Sequence, residues 1–201
     1  MVKVSTVVAF LVLGIAWVLL IVSYSTYWYS SKVGNDDNYV QVLFKADGKK
    51  IITKFAGGKS TGSGKYTDYE KDTSFKNRIQ ILQTSLAFTI IAWVFLCASL
   101  FALILSLIGI LGKIPLLPTI SKILPIGALI TCLLSALIFL GYGNASEKDC
   151  ERVFTVNACN NKFLTSEDDY YLGPYTSWAT TVVSAFFILV GTLVSLIGGA
   201  F

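Results

Sequence analysis

The chain has 201 residues, of which 54% are hydrophobic and 14% charged, with a formal net charge of +4 and no histidine. Soluble globular domains usually carry about 25% charged residues, so this composition and a mean hydropathy of +0.67 exclude that class. The side chain most used for acid–base catalysis near neutral pH is missing. We therefore expect a membrane protein that is not an enzyme and that needs no cofactor or metal.

Four stretches of about 20 apolar residues follow one another along the chain, and each is long enough to cross a bilayer. A backbone in hydrocarbon must satisfy its own hydrogen bonds, which runs of this length achieve only as helices. The predicted fold class is an all-α membrane protein, a four-helix transmembrane bundle with a small extracellular β-rich cap. It forms a single domain over residues 1–201, with spans at about residues 4–24, 86–111, 120–140 and 179–201.

Polar residues collect in two segments, at about residues 27–83 and 143–178, which alternating topology places on the same side of the membrane. The two segments hold thirteen of the sixteen Lys and Arg residues, so a plain count favours a cytosolic position. Two features favour the exterior. Cys150 and Cys159 form either a disulfide, which requires an oxidising compartment, or two free thiols. Asn144 begins an Asn-Ala-Ser glycosylation sequon.

The expected localisation is therefore the plasma membrane, with both polar segments extracellular and both termini cytoplasmic.

The first polar segment contains two short β-branched and aromatic runs, at residues 39–44 and 51–55. Asp47 and Gly48 between them are typical of a tight turn with positive φ angles, so the segment predicts an antiparallel hairpin. An exposed edge of this hairpin is able to pair with a neighbour's strand. The predicted contact residues are Tyr39, Val40, Val42, Phe44, Ile51, Ile52 and Phe55.

Two further parts of this segment differ from the hairpin. Residues 57–64 are Gly, Ser and Thr with one Lys, a composition that predicts a flexible stretch. Residues 72–74 are Asp, Thr and Ser, which are typical helix N-cap types. Apolar residues then recur at helical spacing, so a short helix is predicted to run directly into the second span.

Small residues recur at four-residue spacing within the spans, a pattern that lets membrane helices approach closely. Two interpretations stay open: packing inside the bundle, or a lateral seam with another copy or a channel subunit. The candidate helix-packing residues are Gly191, Ser195 and Gly199 in the last span and Gly127, Thr131 and Ser135 in the third.

Clusters of carboxylates occur at residues 36–37 and 167–169. They are interpreted as solvated loop charge, because no histidine or cysteine lies near enough to complete a familiar ligand set, with a calcium site at the second cluster as the alternative. Acidic residues are interleaved with the basic ones, so we expect no nucleic-acid partner. The expected partners are the lipid bilayer and either further copies of the chain or another membrane protein.

Several short signatures resemble those of the claudin superfamily of four-span proteins. Gly14 and Trp17 in the first span, followed by Trp28 just outside it, are similar in type and spacing to that family's first helix and loop. Residues 67–73, Thr-Asp-Tyr-Glu-Lys-Asp-Thr, with Arg78 downstream resemble the segment before the second span in the gamma-type channel subunits. The first polar segment lacks the family's cysteine pair and has no tryptophan after Trp28, so no pore or partner residue is transferred.

These observations predict a nonenzymatic membrane protein that mediates lateral or cell-to-cell self-association at the cell surface. The alternatives are an auxiliary subunit of a channel or receptor, and an oligomeric channel whose polar lining arises between protomers.

Overall fold

A computed structural model describes residues 4–66, 75–113, 116–152, 163–167 and 169–199. It divides into two compact units. The helix unit comprises Met1–Tyr24, Ala87–Ala136 and Thr180–Phe201, and the sheet unit comprises Ser25–Leu86 and Leu137–Ala179.

The helices are α1 (Val4–Ser25), α2 (Lys76–Leu107), α3 (Leu117–Leu140), α4 (Tyr142–Glu151) and α5 (Thr176–Ile197). Within the described residues, four helical segments are long and apolar enough to cross a membrane: Val4–Ser25, Lys76–Leu107, Leu117–Glu151 and Thr176–Ile197. The prediction of four candidate spans is therefore confirmed. The predicted short helix before the second span is also confirmed as the first part of the 32-residue α2. The predicted N-cap residues 72–74 lie outside the described residues.

The helix unit is held together by an apolar core and by hydroxyl pairs between helices. Leu13, Leu96 and Ile188 are fully buried in that core. The hydroxyls of Thr89 and Ser135 lie 2.8 Å apart and join α2 to α3. Hydrogen bonds and close van der Waals contacts of this kind are the interactions that hold membrane helices together.

The predicted small residues serve the helix unit in two ways. A Cβ on Gly191 would lie 2.6 Å from Leu13 Cδ2, so the missing side chain lets α5 approach α1. Thr131 and Ser195 instead donate hydrogen bonds to backbone carbonyls three or four residues earlier in their own helices. Gly127 packs at ordinary van der Waals distance from Phe95. Gly199 lies beyond the end of α5, with φ at 59°.

The sheet unit contains an antiparallel sheet of six strands in the order β4-β3-β2-β1-β6-β5. Its strands are β1 (Tyr29–Gly34), β2 (Tyr39–Lys45), β3 (Gly48–Phe55), β4 (Gly58–Lys65), β5 (Thr165–Glu167) and β6 (Tyr170–Pro174). β1 pairs with β2 on one side and with β6 on the other, so both polar segments contribute to one sheet.

The predicted hairpin is confirmed, but the turn differs from the prediction. Lys45 pairs with Gly48, so Ala46 and Asp47 form the two-residue turn and Gly48 is the first residue of β3. Gly48 does not have a positive φ. Glycine is required there for a different reason: a Cβ would lie 2.5 Å from the carbonyl oxygen of Gly64 on β4.

The predicted flexible stretch at residues 57–64 is wrong, because Gly58–Lys65 forms strand β4. Local composition disfavours a strand at this position. The backbone hydrogen bonds offered by β3 along its whole length override that preference, with all eight residues of β4 paired to β3.

The core of the sheet unit is aromatic. Trp28, Tyr29, Phe139 and Tyr142 are buried together, and the rings of Tyr29 and Tyr142 lie 4.3 Å apart between centroids. Offset and tilted ring pairs of this kind are favourable beyond the area that they bury. Trp28, one of the residues that carry the resemblance, is therefore a core residue of this unit.

Candidate functional site: a basic sheet face and an open edge strand

The strand register gives the sheet two chemically distinct faces, because residues directly opposite each other on paired strands share a face. We call one the apolar face, since it carries Tyr29, Phe44 and Leu172 of the core. We call the other the basic face. It carries six lysines: Lys32, Lys45, Lys50, Lys54, Lys59 and Lys65.

No acidic residue lies on the basic face within the six strands, and the carboxylates that neutralise it come from turns. Asp36 lies 2.8 Å from Lys32 Nζ, and Asp47 lies 3.1 Å from Lys45 Nζ. The hydrogen bond and the charge of Lys32 lower the pKa of Asp36. Lys54 Nζ donates to the carbonyl oxygen of Asp36 at 2.6 Å. The face retains an excess of positive charge.

A cavity of about 400 Å³ lies at the end of the sheet beside the Ala46–Asp47 turn, and residues of both faces line it. Gly48 lies directly between Lys45 on β2 and Lys65 on β4 in a single row across three strands. Gly48 itself is buried, and the backbone of Gly64 fills the space that its side chain would take, so no third side chain stands between the two lysines. The residues that line the cavity are Tyr27, Lys45, Asp47, Gly48, Lys49, Ser63, Gly64 and Lys65.

Among the described strands, β4 and β5 lie at the two edges of the sheet and β4 is the longer, and this corrects the predicted contact surface. The hairpin strands β2 and β3 are interior, since β1 and β4 pair with their outer sides. Phe44, one of the predicted contact residues, is buried in the core. The hairpin therefore has no free edge. The longer edge strand, β4, overlaps the stretch at residues 57–64 that composition alone predicts to be flexible. Of the other six predicted contact residues, Tyr39, Val42 and Ile52 are partly buried, whereas Val40, Ile51 and Phe55 are exposed.

Near the β4 edge the apolar face exposes large hydrophobic side chains. Phe55 is 59% exposed and Ile51 is 37% exposed, and their partners on β4 are Gly58 and Gly62. Val40 on β2 is also exposed. Because the opposing glycines carry no side chains, the exposed apolar surface of β3 extends to the open edge.

The N-terminus of α2 is held by a buried carboxylate. Asp149 of α4 is fully buried and accepts the backbone N–H groups of Asn77 at 3.0 Å and Arg78 at 2.9 Å. The Nε of Arg78 lies 3.5 Å from the same carboxylate. A negative charge at this position interacts favourably with the helix dipole and satisfies two N–H groups that have no partner inside the helix.

Two tyrosines of the sheet unit are shielded from water. Burial is the largest cause of the raised pKa of Tyr29 and of Tyr66, with a smaller opposing effect from the positive charge of Arg78. The hydroxyl of Tyr29 donates to the carbonyl oxygen of Phe163 at 3.1 Å. Both phenols therefore remain protonated in the folded protein at neutral pH.

The other predicted site residues are dispersed. Asn144 is exposed on α4, within a helix instead of the expected loop. Cys150 lies on the same helix, and Cys159 lies outside the described residues, so the bridge stays a prediction. Among the described residues no group of three or more Cys, Asp or Glu is placed to hold a metal ion.

No protein-family model matches this chain, and no curated protein matches it.

Sequence reasoning missed the basic face, the cavity and the Asp149 cap. The lysines at residues 50, 54, 59 and 65 are visible in the sequence, but the face of the sheet that each one occupies depends on the strand register. Asp149 gives no local signal, because its partners are 71 and 72 residues away.

Proposed function

We propose that this chain is a nonenzymatic multi-pass membrane protein that associates with further copies of itself through its sheet. The single observation that carries the proposal is the open edge strand β4, eight residues long and exposed along almost its whole length. A long edge strand presents a row of backbone N–H and C=O groups that is able to pair with another chain. We further propose a plasma-membrane location, with both polar segments outside the cell and both termini in the cytoplasm.

The sequence of β4 favours antiparallel pairing with itself. A two-fold axis perpendicular to the sheet puts the basic faces of both copies on the same side. Residues that lie directly opposite each other must therefore both be odd-numbered or both be even-numbered. With Thr61 opposite its own copy, Lys59 lies opposite Ser63 of the second copy, and no lysine faces a lysine. Thr–Thr pairs across strands are stabilising, whereas directly opposite like charges are destabilising.

The apolar face adds burial to this pairing. In the same arrangement Ile51 and Phe55 of both copies lie on one side of the joined sheet, and Gly58 and Gly62 leave them accessible from the edge. Burying apolar surface contributes about 25 cal/mol per Å², so these side chains supplement the backbone hydrogen bonds.

The resemblance to the claudin superfamily is part of this proposal. What supports it, besides the signatures in the sequence, is the combination of four candidate spans with an antiparallel sheet built from both polar segments.

Cysteine cross-linking tests the strand pairing. Thr61→Cys is expected to form a disulfide-linked dimer on mild oxidation in membranes, because the residue meets its own copy. Ser166→Cys is the matched control, since Ser166 is exposed on β5 at the opposite edge of the sheet. Equal cross-linking of the two variants would contradict the proposed interface.

Charge changes at Ser63 test the register. Ser63→Lys places two like charges opposite each other twice in the dimer, and Ser63→Glu places a carboxylate opposite Lys59. The lysine variant is expected to weaken dimerisation and the glutamate variant to strengthen it, each by about 0.2–1 kcal/mol for each pair. Sedimentation in detergent measures both, and the same sign of effect for both variants would contradict this register.

Labelling of Thr61→Cys with a membrane-impermeant maleimide on intact cells tests the orientation. Labelling without permeabilisation is expected, and labelling that requires permeabilisation would invert the assignment.

A groove on α1 supports the second candidate, an auxiliary subunit of a larger membrane protein. A volume of about 380 Å³ surrounds Gly14, which has open space where a side chain would be. Membrane helices pack closely at such positions. If the chain is an auxiliary subunit, a larger partner is expected to co-purify with it. Gly14→Leu is expected to fill the groove and release that partner, and retention of the partner by the variant would contradict docking at this groove.

A further inference from the structure

We propose that the cavity between Lys45 and Lys65 binds the phosphate group of an anionic lipid headgroup. The two lysines flank Gly48 in one row of the basic face. Adjacent strands are about 4.8 Å apart, so the two backbones lie about 10 Å apart across Gly48. Lysine side chains are long enough to bring two ammonium groups to either side of one anion over that distance.

Gly48 places no side chain between the two lysines. A Cβ there would lie 2.5 Å from the carbonyl oxygen of Gly64, a backbone atom that cannot move without disturbing β4. The middle of the row is therefore filled by backbone atoms of β4, and no side chain separates Lys45 from Lys65.

The lining matches a phosphate ester in its hydrogen-bonding groups. A phosphate group offers oxygen acceptors only, and its charge-assisted hydrogen bonds to ammonium groups are stronger than neutral ones. Lys45 and Lys65 supply ammonium donors, and the residues Ser63 and Tyr27 on the cavity wall carry hydroxyls. The one carboxylate on the wall, Asp47, is engaged with Lys45 at 3.1 Å. Positive charge therefore exceeds negative charge at the cavity.

The rest of the basic face increases the attraction for anions. Lys54 and Lys59 lie directly opposite each other on β3 and β4. A direct like-charge pair is destabilising, so the fold does not gain from it. A surface with one sign of charge raises the local concentration of counter-ions and speeds the arrival of a charged ligand.

A lipid is favoured as the source of the phosphate by the position of Tyr27 in the chain. Tyr27 lines the cavity and lies two residues after the end of α1, a 22-residue candidate span. A helix of that length is about 33 Å long and matches the hydrocarbon core, so residues just beyond it lie at the depth of the headgroups. Tyrosine is also enriched at that depth.

Ligand titration of the purified full chain in neutral detergent tests the site. The probes are dioctanoyl phosphatidic acid, dioctanoyl phosphatidylcholine and inorganic phosphate, and the readout is the midpoint of thermal unfolding, which rises when the folded state binds a ligand. Phosphatidic acid is expected to raise the midpoint at lower concentration than the other two. Higher ionic strength is expected to weaken the effect.

Two double variants remove the same charge from the same face. Lys45→Gln with Lys65→Gln is expected to raise the apparent Kd for phosphatidic acid by about tenfold or more, since two charge-assisted hydrogen bonds are replaced by weaker neutral ones. The control variant is Lys54→Gln with Lys59→Gln. Lys59 lies six residues from Lys65 along β4, about 20 Å from the cavity, so this variant is expected to change the Kd by less than about twofold. If the first variant unfolds early without ligand, Lys65→Gln alone at its exposed edge position replaces it.

Equal losses in the two double variants would overturn the cavity as the site, because they would show a diffuse effect of the whole face. Equal shifts from phosphatidic acid and inorganic phosphate would overturn the lipid source. Displacement of the lipid by a heparin oligosaccharide, with equal dependence on all four lysines, would assign the face to a sulfated polysaccharide and overturn the proposal. The test does not depend on self-association.

Discussion

The carboxylate of Asp149 accepts the backbone N–H of Arg78 at 2.9 Å and thereby caps α2 from 71 residues away in sequence. The same carboxylate faces the guanidinium of Arg78, with 3.5 Å between Oδ2 and Nε. Asp149 is fully buried. A buried carboxylate of this kind is stabilising only while its partners are present, since an unpaired buried charge is strongly destabilising.

Removing this carboxylate is expected to destabilise the sheet unit strongly. Asp149→Ala leaves two helix N–H groups and the Arg78 guanidinium without their acceptor, at a cost of about 3–5 kcal/mol. Asp149→Asn keeps one acceptor oxygen and is expected to cost less. Glu147→Ala, an exposed change on the same helix, is the control. Unfolding midpoints measure the effect, and equal midpoints for the Asp149→Ala and Glu147→Ala variants would contradict the capping role.

Stability is expected to fall at alkaline pH. The pKa values of Tyr29 and Tyr66 are raised by burial above their ordinary value of about 10 in an unfolded chain. Their contribution is therefore fully present below pH of about 10, and it is lost as the pH rises through and above that value because only the unfolded chain releases the protons. Tyr66→Phe is expected to reduce the slope of unfolding free energy against pH above 10. An unchanged slope would argue against a buried phenol.

Gly48 and Gly62 are expected to respond differently to the same substitution. Gly48→Ala forces a Cβ to within 2.5 Å of the Gly64 carbonyl oxygen, whereas a Cβ on Gly62 meets nothing within 4 Å. The first change is expected to cost about 1–3 kcal/mol and to loosen β4, and the second to be close to neutral. Hydrogen exchange of the β4 amides distinguishes them. Similar exchange in both variants would show that Gly48 is not a point of close approach.

Gly191 is expected to be a packing position of the helix unit. Gly191→Ala brings its Cβ against Leu13, which is fully buried, at 2.6 Å. We expect a loss of about 1–3 kcal/mol from overpacking, measured by thermal unfolding in detergent. Gly127→Ala is the matched control, because its Cβ would lie at an ordinary 3.5 Å from Phe95. A larger effect at Gly127 than at Gly191 would contradict the close approach of α1 and α5.

The bridge between Cys150 and Cys159 remains a prediction from the sequence. If it forms, Cys150→Ser is expected to remove the difference in mobility between reducing and nonreducing gels and to lower the unfolding midpoint of the sheet unit. A closed loop of this length contributes roughly 2–3 kcal/mol. Alkylation of both thiols in the native protein would rule the bridge out.

The sequence by itself determined the four candidate spans and the β2–β3 hairpin. Both are local properties: a helix in hydrocarbon satisfies its hydrogen bonds within one continuous stretch, and a hairpin is closed by a two-residue turn. The predicted span boundaries accordingly lie within a few residues of α1, α3 and α5.

Only the tertiary structure decided which strand forms the edge, which lysines share a face and what caps α2. Residues 58–65 become a strand because β3 offers hydrogen bonds along its length, although their own composition disfavours it. Lys45 and Lys65 flank Gly48 through the pairing of three strands, and Asp149 reaches Arg78 through the packing of α4. Such contacts join residues far apart in the chain, so no local pattern in the sequence records them.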